Sequence, residues 1–273
     1  GMTGALVLAQ TDTGVAGVWD WPVVAASLSL VIGAIALSRW LGIGVERSLV
    51  WSSIRAAVQL LAVGGLLALI LRSSLPDVWA WSWVAVMVGI ASGVMVRRMP
   101  DAPYAWLPAS IAVAVSVGIG LGVVFGFGVL PYDPISVVVV AGITIGNALP
   151  HGVLAAKQVV ARAKDDPGTI EALLAMGFER GGIVRFLAPE TARMALVPQI
   201  ERTKVVGLIA LPGAMTGLLL AGVDPVDAVV IQLLVMYLVL GAAAVVIIVM
   251  VLSLTRAAIT PRLQIADWVK PGD

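Results

Sequence analysis

Seven long apolar runs constrain this chain more than any other feature. They are roughly Trp21–Leu37, Ile54–Leu71, Val78–Val96, Trp106–Phe127, Ile135–Leu154, Val205–Val223 and Val226–Leu254. A helix needs about 17–25 apolar residues to cross the hydrocarbon core of a bilayer, and these runs match or exceed that length. The last is long enough to tilt or to extend beyond the lipid. Barrel strands would alternate polar and apolar residues over about ten positions, and these runs do not alternate. The chain is 60% hydrophobic and 12% charged, whereas soluble domains carry about twice that charged fraction. The expected fold is all-α: a polytopic membrane protein of about seven transmembrane helices, with residues 1–273 as a single membrane-embedded domain.

Composition removes several function classes. The net charge of +1 implies no bulk attraction to nucleic acid. With no cysteine there are no disulfides and no thiolate chemistry, and one histidine cannot build a multi-His metal site within one chain. No cofactor is expected. All 16 Asp and Glu residues lie outside the cores of the seven runs. Intramembrane carboxylates are common in proton- and sodium-coupled carriers, so their absence argues against that class, though backbone carbonyls can also bind sodium. It also deprives an intramembrane aspartyl or metallo-protease of its parts. No Gly-x-x-x-x-Gly-Lys-Ser/Thr phosphate loop occurs, so the chain is not expected to hydrolyse ATP itself. A signal peptide is not expected at residues 2–10, which have no basic segment ahead of a short apolar one.

Basic residues set the orientation, because Lys and Arg gather on the cytoplasmic side. With the N-terminus outside, Arg39, Arg47 and Arg55 fall in or beside the first inner loop, and Arg97 and Arg98 fall in the second. Eight from Lys157 to Lys204 fall in the third, and Arg256, Arg262 and Lys270 in an inner C-terminus. That places 16 of 17 inside and leaves Arg72 outside. Trp19, Trp21, Trp79, Trp81 and Trp83 then gather at the outer interface, which suits indole rings.

The outer loops are short, so the one sizeable soluble segment is the inner loop Ala156 to Thr203. Within it, Asp166 can cap a helix that starts at Pro167 and carries Ile170, Leu173, Leu174 and Met176. Gly177 can then supply the left-handed residue that ends it. A second helix should begin near Phe178 and carry Arg185, Glu190, Arg193 and Glu201, with Pro189 and Pro198 kinking or interrupting it. The string Glu171-Ala172-Leu173, with Gly177 six positions after the glutamate and then Leu187 and Pro189, resembles the "EAA" loop of ABC permeases. It departs in Leu173 for Ala, in Leu187 for Ile and in a proline one position early. The resemblance implies a helical coupling loop, with Glu171, Ala172, Gly177, Arg185 and Pro189 at its contact with a cytoplasmic ABC ATPase subunit. From the residues alone, an ordinary amphipathic inner loop stands beside that reading.

Three membrane stretches extend the resemblance. They are Gly142-Ile143-Thr144-Ile145-Gly146-Asn147, the string Gly207 to Gly217 containing Leu211-Pro212-Gly213-Ala214-Met215-Thr216-Gly217, and Asp224-Pro225-Val226-Asp227-Ala228 leading to Gln232 and Met236. With the inner loop, they resemble the FetB/YbbM family of bacterial ABC-type iron-export permeases, which includes a plant aluminium-tolerance protein. Ala214 stands where that family usually has Met. Read without the family, Pro212-Gly213 breaks a helix at membrane depth. Such backbone survives when buried in protein or lining a cavity, so it marks either a translocation path or a packing kink. Arg55 and Gln59, Asn147 and His151, and Gln232 and Met236 each share a helix face. Arg55 either snorkels to the interface or faces the path. His151 is either a local hydrogen-bonding group or a ligand. Gly89 and Gly93, Gly118, Gly122 and Gly126, and Gly142 and Gly146 form small-residue ridges expected at close helix crossings.

The resemblance implies a permease working as a homodimer with ATPase subunits in the bacterial inner membrane, exporting iron or serving metal homeostasis. Its expected path is lined by Asn147, Pro212, Gly213, Met215, Thr216, Gln232 and Met236, with Arg55, Gln59 and His151 as candidates for the path or its inner mouth. The competing readings are a secondary transporter or channel acting alone, and a membrane anchor for a cytoplasmic partner.

Overall fold

The computed structural model describes residues 21–99, 102, 105–207, 209 and 211–269. Trp19, Leu208, Ala210 and Lys270 lie outside them. Among the described residues the elements are helices: α1 (Trp21–Leu41), α2 (Glu46–Arg72), α3 (Pro76–Arg97), α4 (Trp106–Gly126), α5 (Pro134–Asp165), α6 (Pro167–Ala175), α7 (Arg180–Lys204), α8 (Gly213–Leu220) and α9 (Pro225–Ala257). Five of them, α2, α3, α4, α5 and α9, are long and apolar enough to cross a membrane, and α1 is a shorter apolar helix.

Within the run Val205–Val223 the helix breaks at Pro212-Gly213, as the sequence leads one to expect, because Pro212 can donate no backbone bond. Val205, Val206, Gly207, Ile209 and Leu211 ahead of it are also outside any helix, Gly207 with a left-handed φ of +87°, and only the eight-residue α8 follows. Two other boundaries differ from the sequence expectation. The run ending at Leu154 continues as helix to Asp165. Hydrophobicity falls at Lys157, yet Ala155, Ala156, Val159, Val160 and Ala163 remain buried and hold the helical face. Neither Pro189 nor Pro198 interrupts α7, which runs unbroken for 25 residues. Both prolines are exposed, on the face where water can bond the carbonyls they leave free.

The chain divides into two compact units, Gly1–Ser73 with Pro212–Gln232 and Ser74–Leu211 with Leu233–Asp273. In the first, α1 and α2 form a hairpin. Gly42 (φ +66°) and Gly44 (φ +79°) turn the chain between them, and the Ser38 hydroxyl donates to Glu46 across the turn at 2.9 Å. In the second, α3, α4 and α5 pack on one another, and α9 adds a face carrying Val246, Ile247, Met250 and Leu254, each almost fully buried. The Ser116 hydroxyl donates to the Ala242 carbonyl at 3.3 Å and ties α4 to α9.

The close crossings do not sit on the expected glycine ridges. A Cβ at Gly89, Gly118, Gly122, Gly126 or Gly146 would meet nothing within 4 Å, and one at Gly93 or Gly142 would make ordinary contacts of 3.5 Å. The tightest position is Gly152, where a Cβ would lie 2.7 Å from Met95 Cε and 2.8 Å from Val246 Cγ1; Gly120 follows, with Leu238 Cδ1 at 3.0 Å. At Gly152 α5 fits against side chains of α3 and α9. Gly152→Leu should therefore cost about 1–3 kcal/mol through overpacking. It should lower the thermal midpoint of the detergent-purified protein, while Gly122→Leu leaves it unchanged; equal midpoints for the two variants would place the crossing elsewhere.

Candidate functional site

The segment after α5 is built by local rules. Asp166 accepts from the Thr169 amide at 3.1 Å and bonds its hydroxyl, and Pro167 occupies the first helical position. These two bonds to Thr169 hold the Asp166 carboxyl below its ordinary pKa. The cap is thus charged at neutral pH, and its contribution fades only in acid, as the carboxyl takes up a proton. At the other end Gly177 takes φ +83°. Its N–H donates to Leu174 and that of Phe178 to Leu173, both at 3.0 Å, which together close the exposed carbonyls of α6.

The apolar edge of α6 is consumed within the chain. Ile170 and Leu173 are 3% and 4% exposed. They pack in a cluster with Ile183 and Leu187 of α7 and with Ile259, Ile265 and Val269 of the C-terminal segment. That segment folds back as Ala266 N–H donates to the Ala258 carbonyl at 2.9 Å. The outward face is different: Glu171, Ala172, Gly177, Arg185 and Pro189 are all exposed. Around them Met176 is 65% exposed, Phe178 42% and Phe186 61%. The sequence reading names Met176 on the first loop helix and Phe178 at the start of the second, but it does not single out Phe186. The signal was there for Phe186, because the buried positions Ile183, Leu187, Thr191 and Ala195 step around α7 and leave it on the opposite side.

Two polar links hold this helical pair to the long helices of its own unit. Arg162 of α5 pairs with Glu190 of α7 at 2.7 Å; its hydrogen bond and charge hold the Glu190 carboxyl below its ordinary pKa. Arg180, at the start of α7, donates from Nε and Nη2 to the Arg256 carbonyl at 2.8 and 2.6 Å. That carbonyl lies in the last turn of α9, where a cation also opposes the negative end of the helix dipole. Buried in the same unit, Gln158 Oε1 and Gln199 Oε1 have no hydrogen-bond partner among the described residues; both fall in the inner loop as drawn from sequence.

The intramembrane candidates fall into local pairs. In the first unit Pro212 is the N-cap of α8, and Gly213 is its first residue. The Pro212 carbonyl accepts from the Thr216 amide at 3.0 Å and from its hydroxyl at 3.1 Å. The Met215 amide, which has no partner within α8, donates to Gln232 Oε1 of α9 at 3.2 Å. Gln232 is only 8% exposed, so its side chain closes the backbone break. Arg55 and Gln59 lie exposed on α2. In the second unit Asn147 Nδ2 donates to Ile143 O at 2.8 Å, and His151 Nδ1 lies 2.6 Å from Asn147 O. Both side chains bond their own helix beside Pro150, leaving Nε2 as the outward ring nitrogen of His151. Met236 is half-buried on α9. Among the described residues no group of three or more His, Asp or Glu is placed to hold a metal ion.

The sequence profile described as "Uncharacterised protein family (UPF0014)" matches residues 21–259. The UPF0014 membrane protein STAR2 of Oryza sativa is 28% identical over 98% of this chain and 95% of its own length. The probable iron export permease protein FetB of Escherichia coli is 30% identical over 81% of this chain and 85% of its own. The protein ALUMINUM SENSITIVE 3 of Arabidopsis thaliana is 27% identical over 81% of each. No solved structure matches the chain.

The Met215–Gln232 bond yields a direct test. Gln232→Leu would leave a buried amide unpaired, at a cost of about 1–3 kcal/mol. Hydrogen exchange at the Met215 amide should accelerate at least tenfold, and Gln232→Glu, which keeps an acceptor, should restrain it. Unchanged exchange in Gln232→Leu would show that the bond does not hold the break.

Proposed function

We propose a function that proceeds from one fact: the chain belongs to the UPF0014 family of membrane proteins. On this reading it is the permease subunit of an ABC-type transporter, energised by a separate cytoplasmic ATPase and working as a homodimer in the bacterial inner membrane. Its N-terminus lies outside and its C-terminus inside. Residues 205–223 cross as a broken element. The eight residues of α8 are too short to cross a hydrocarbon core of about 30 Å alone, so the residues before it complete the crossing.

One observation carries the reading. The α6–Gly177–α7 turn presents Met176, Phe178 and Phe186 to solvent, beside Glu171 and Arg185, on the one long segment between membrane helices. Exposed aromatics of this size on a short, rigid helical tip suit a groove on a partner. The sequence similarity to an "EAA" loop names that partner as an ABC ATPase. Because Ile170 and Leu173 face inward, the contact is made by the outward face and the turn. The Arg180–Arg256 and Arg162–Glu190 links would then carry ATP-driven motion of the partner into α9 and α5.

The name of the Escherichia coli relative supports iron export as the transported function. Two intramembrane regions then serve as path elements: the break at Pro212-Gly213 with Met215, Thr216 and Gln232, and the α5 strip with Asn147 and His151. Met236, Arg55 and Gln59 join them as candidate lining. Without a cluster of metal ligands among the described residues, the ion or its complex passes through weak, successive contacts rather than a tight site.

Gly177→Val tests the coupling. Its φ of +83° strains a residue with a Cβ by about 1–2 kcal/mol, enough to redirect the tip while leaving the membrane helices intact. Normal membrane abundance with loss of ATPase co-purification is expected. Full association in both Gly177→Val and a Phe186→Asp variant would remove the turn as the docking element.

A further inference from the structure

The α1–α2 hairpin forms an open cavity of about 740 Å³ at the end of both helices, whose lining includes Arg39, Glu46, Arg47 and Ser48 with Ile35, Trp51 and Ile54. Its charges are unequal. The Glu46 carboxylate is taken by the Ser38 hydroxyl at 2.9 Å, and Arg39 acts on it electrostatically. Arg47 has no carboxylate partner within 4 Å among the described residues. Val45 ahead of α2 makes no side-chain cap and the Glu46 carboxylate is engaged by its own amide and that of Gly44, so the remaining first-turn amides, of Arg47 and Ser48, add partial positive charge there. The cavity is cationic on balance, with a hydroxyl at Ser48 and an apolar wall of Ile35, Trp51 and Ile54.

The surroundings identify the ligand class. Trp40 and Trp51 are both largely exposed, one near the end of α1 and one in the second turn of α2. Indole rings at the ends of membrane helices settle at headgroup level. An arginine pair, a hydroxyl and free amides at that depth match the oxygens of a phosphate, and the adjoining apolar wall matches the start of an acyl chain. A soluble anion would use the polar groups but gain nothing from the wall. Gly42 and Gly44 hold left-handed turns, and Ile43 N–H donates to Ser38 O at 3.0 Å, which together bring the ends of α1 and α2 side by side.

From this geometry we infer that the α1–α2 hairpin is a binding site for the phosphate of one anionic phospholipid per chain. The inference rests on membrane placement alone and not on the transported cargo.

Native mass spectrometry of the delipidated protein, titrated with phosphatidylglycerol and phosphatidylethanolamine of identical acyl chains, tests it. One phosphatidylglycerol per chain should survive activation that strips phosphatidylethanolamine. The double variant R39Q/R47Q should weaken its retention at least tenfold, and R39K/R47K, which keeps both charges, should hold part of it and report that the hairpin still folds. R97Q/R98Q removes the same charge at the end of α3 and should leave retention unchanged. Equal loss in R39Q/R47Q and R97Q/R98Q would reduce the effect to bulk basic charge and overturn the site. Displacement of the lipid by inorganic phosphate at equal concentration would overturn it too, by showing that the acyl wall contributes nothing and that the ligand is a free anion.

Discussion

A bilayer core holds no water to bond a free N–H or C=O, so each interruption of a helix inside it must be closed by the protein's own groups. The consequences run through this structure. Gln232, carried on α9, supplies the acceptor that the Met215 amide lacks at the start of α8. Around Pro150, where α5 loses a donor, Asn147 and His151 turn back on carbonyls of their own helix. Thr144 does the same to Val140 at 2.8 Å. Polar residues that look like a path in the sequence therefore serve the backbone first, and any contact with cargo uses what remains: Oδ1 of the Asn147 side chain, the second ring nitrogen of His151, and the Met215 side chain.

Outside the lipid, water relaxes that demand, and structure follows capping chemistry instead. Asp166, Pro167 and Gly177 are legible in sequence because each acts through its neighbours alone: a carboxylate two or three residues before free amides, a ring with fixed φ, a residue without a Cβ. The same locality explains why the apolar runs were readable as helices. What depends on distant neighbours was not legible. Gly152 stands apart from the repeating glycine ridges, and only the arrival of Met95 and Val246 makes it the tight crossing. Ile170 and Leu173 read as a free edge, because the C-terminal segment that covers them lies about ninety positions away. The end of α5 was misplaced because hydrophobicity reports lipid and not helix.

These features give the α6–α7 segment two different faces. Its inner face is joined to the long helices by a packed cluster and by the guanidinium of Arg180 on the last turn of α9. Its outer face keeps Met176, Phe178 and Phe186 in water, which is unfavourable for an isolated protein and is relieved by a partner. A lever needs both properties. A rigid hold on the membrane helices transmits displacement, and an unsatisfied tip receives it. An exposed ion pair such as Arg162–Glu190 contributes at most about 1 kcal/mol to stability, so its value here is geometric.

On the proposed reading, transport is driven by ATP through a separate subunit and not by an ion gradient through this chain alone. The decisive measurement is iron uptake into inside-out vesicles with the chain present either by itself or with its ATPase. Accumulation is expected only when both subunits and ATP are present, undiminished by a protonophore. Accumulation by the chain alone, abolished by the protonophore and indifferent to ATP, would contradict it and identify a secondary carrier.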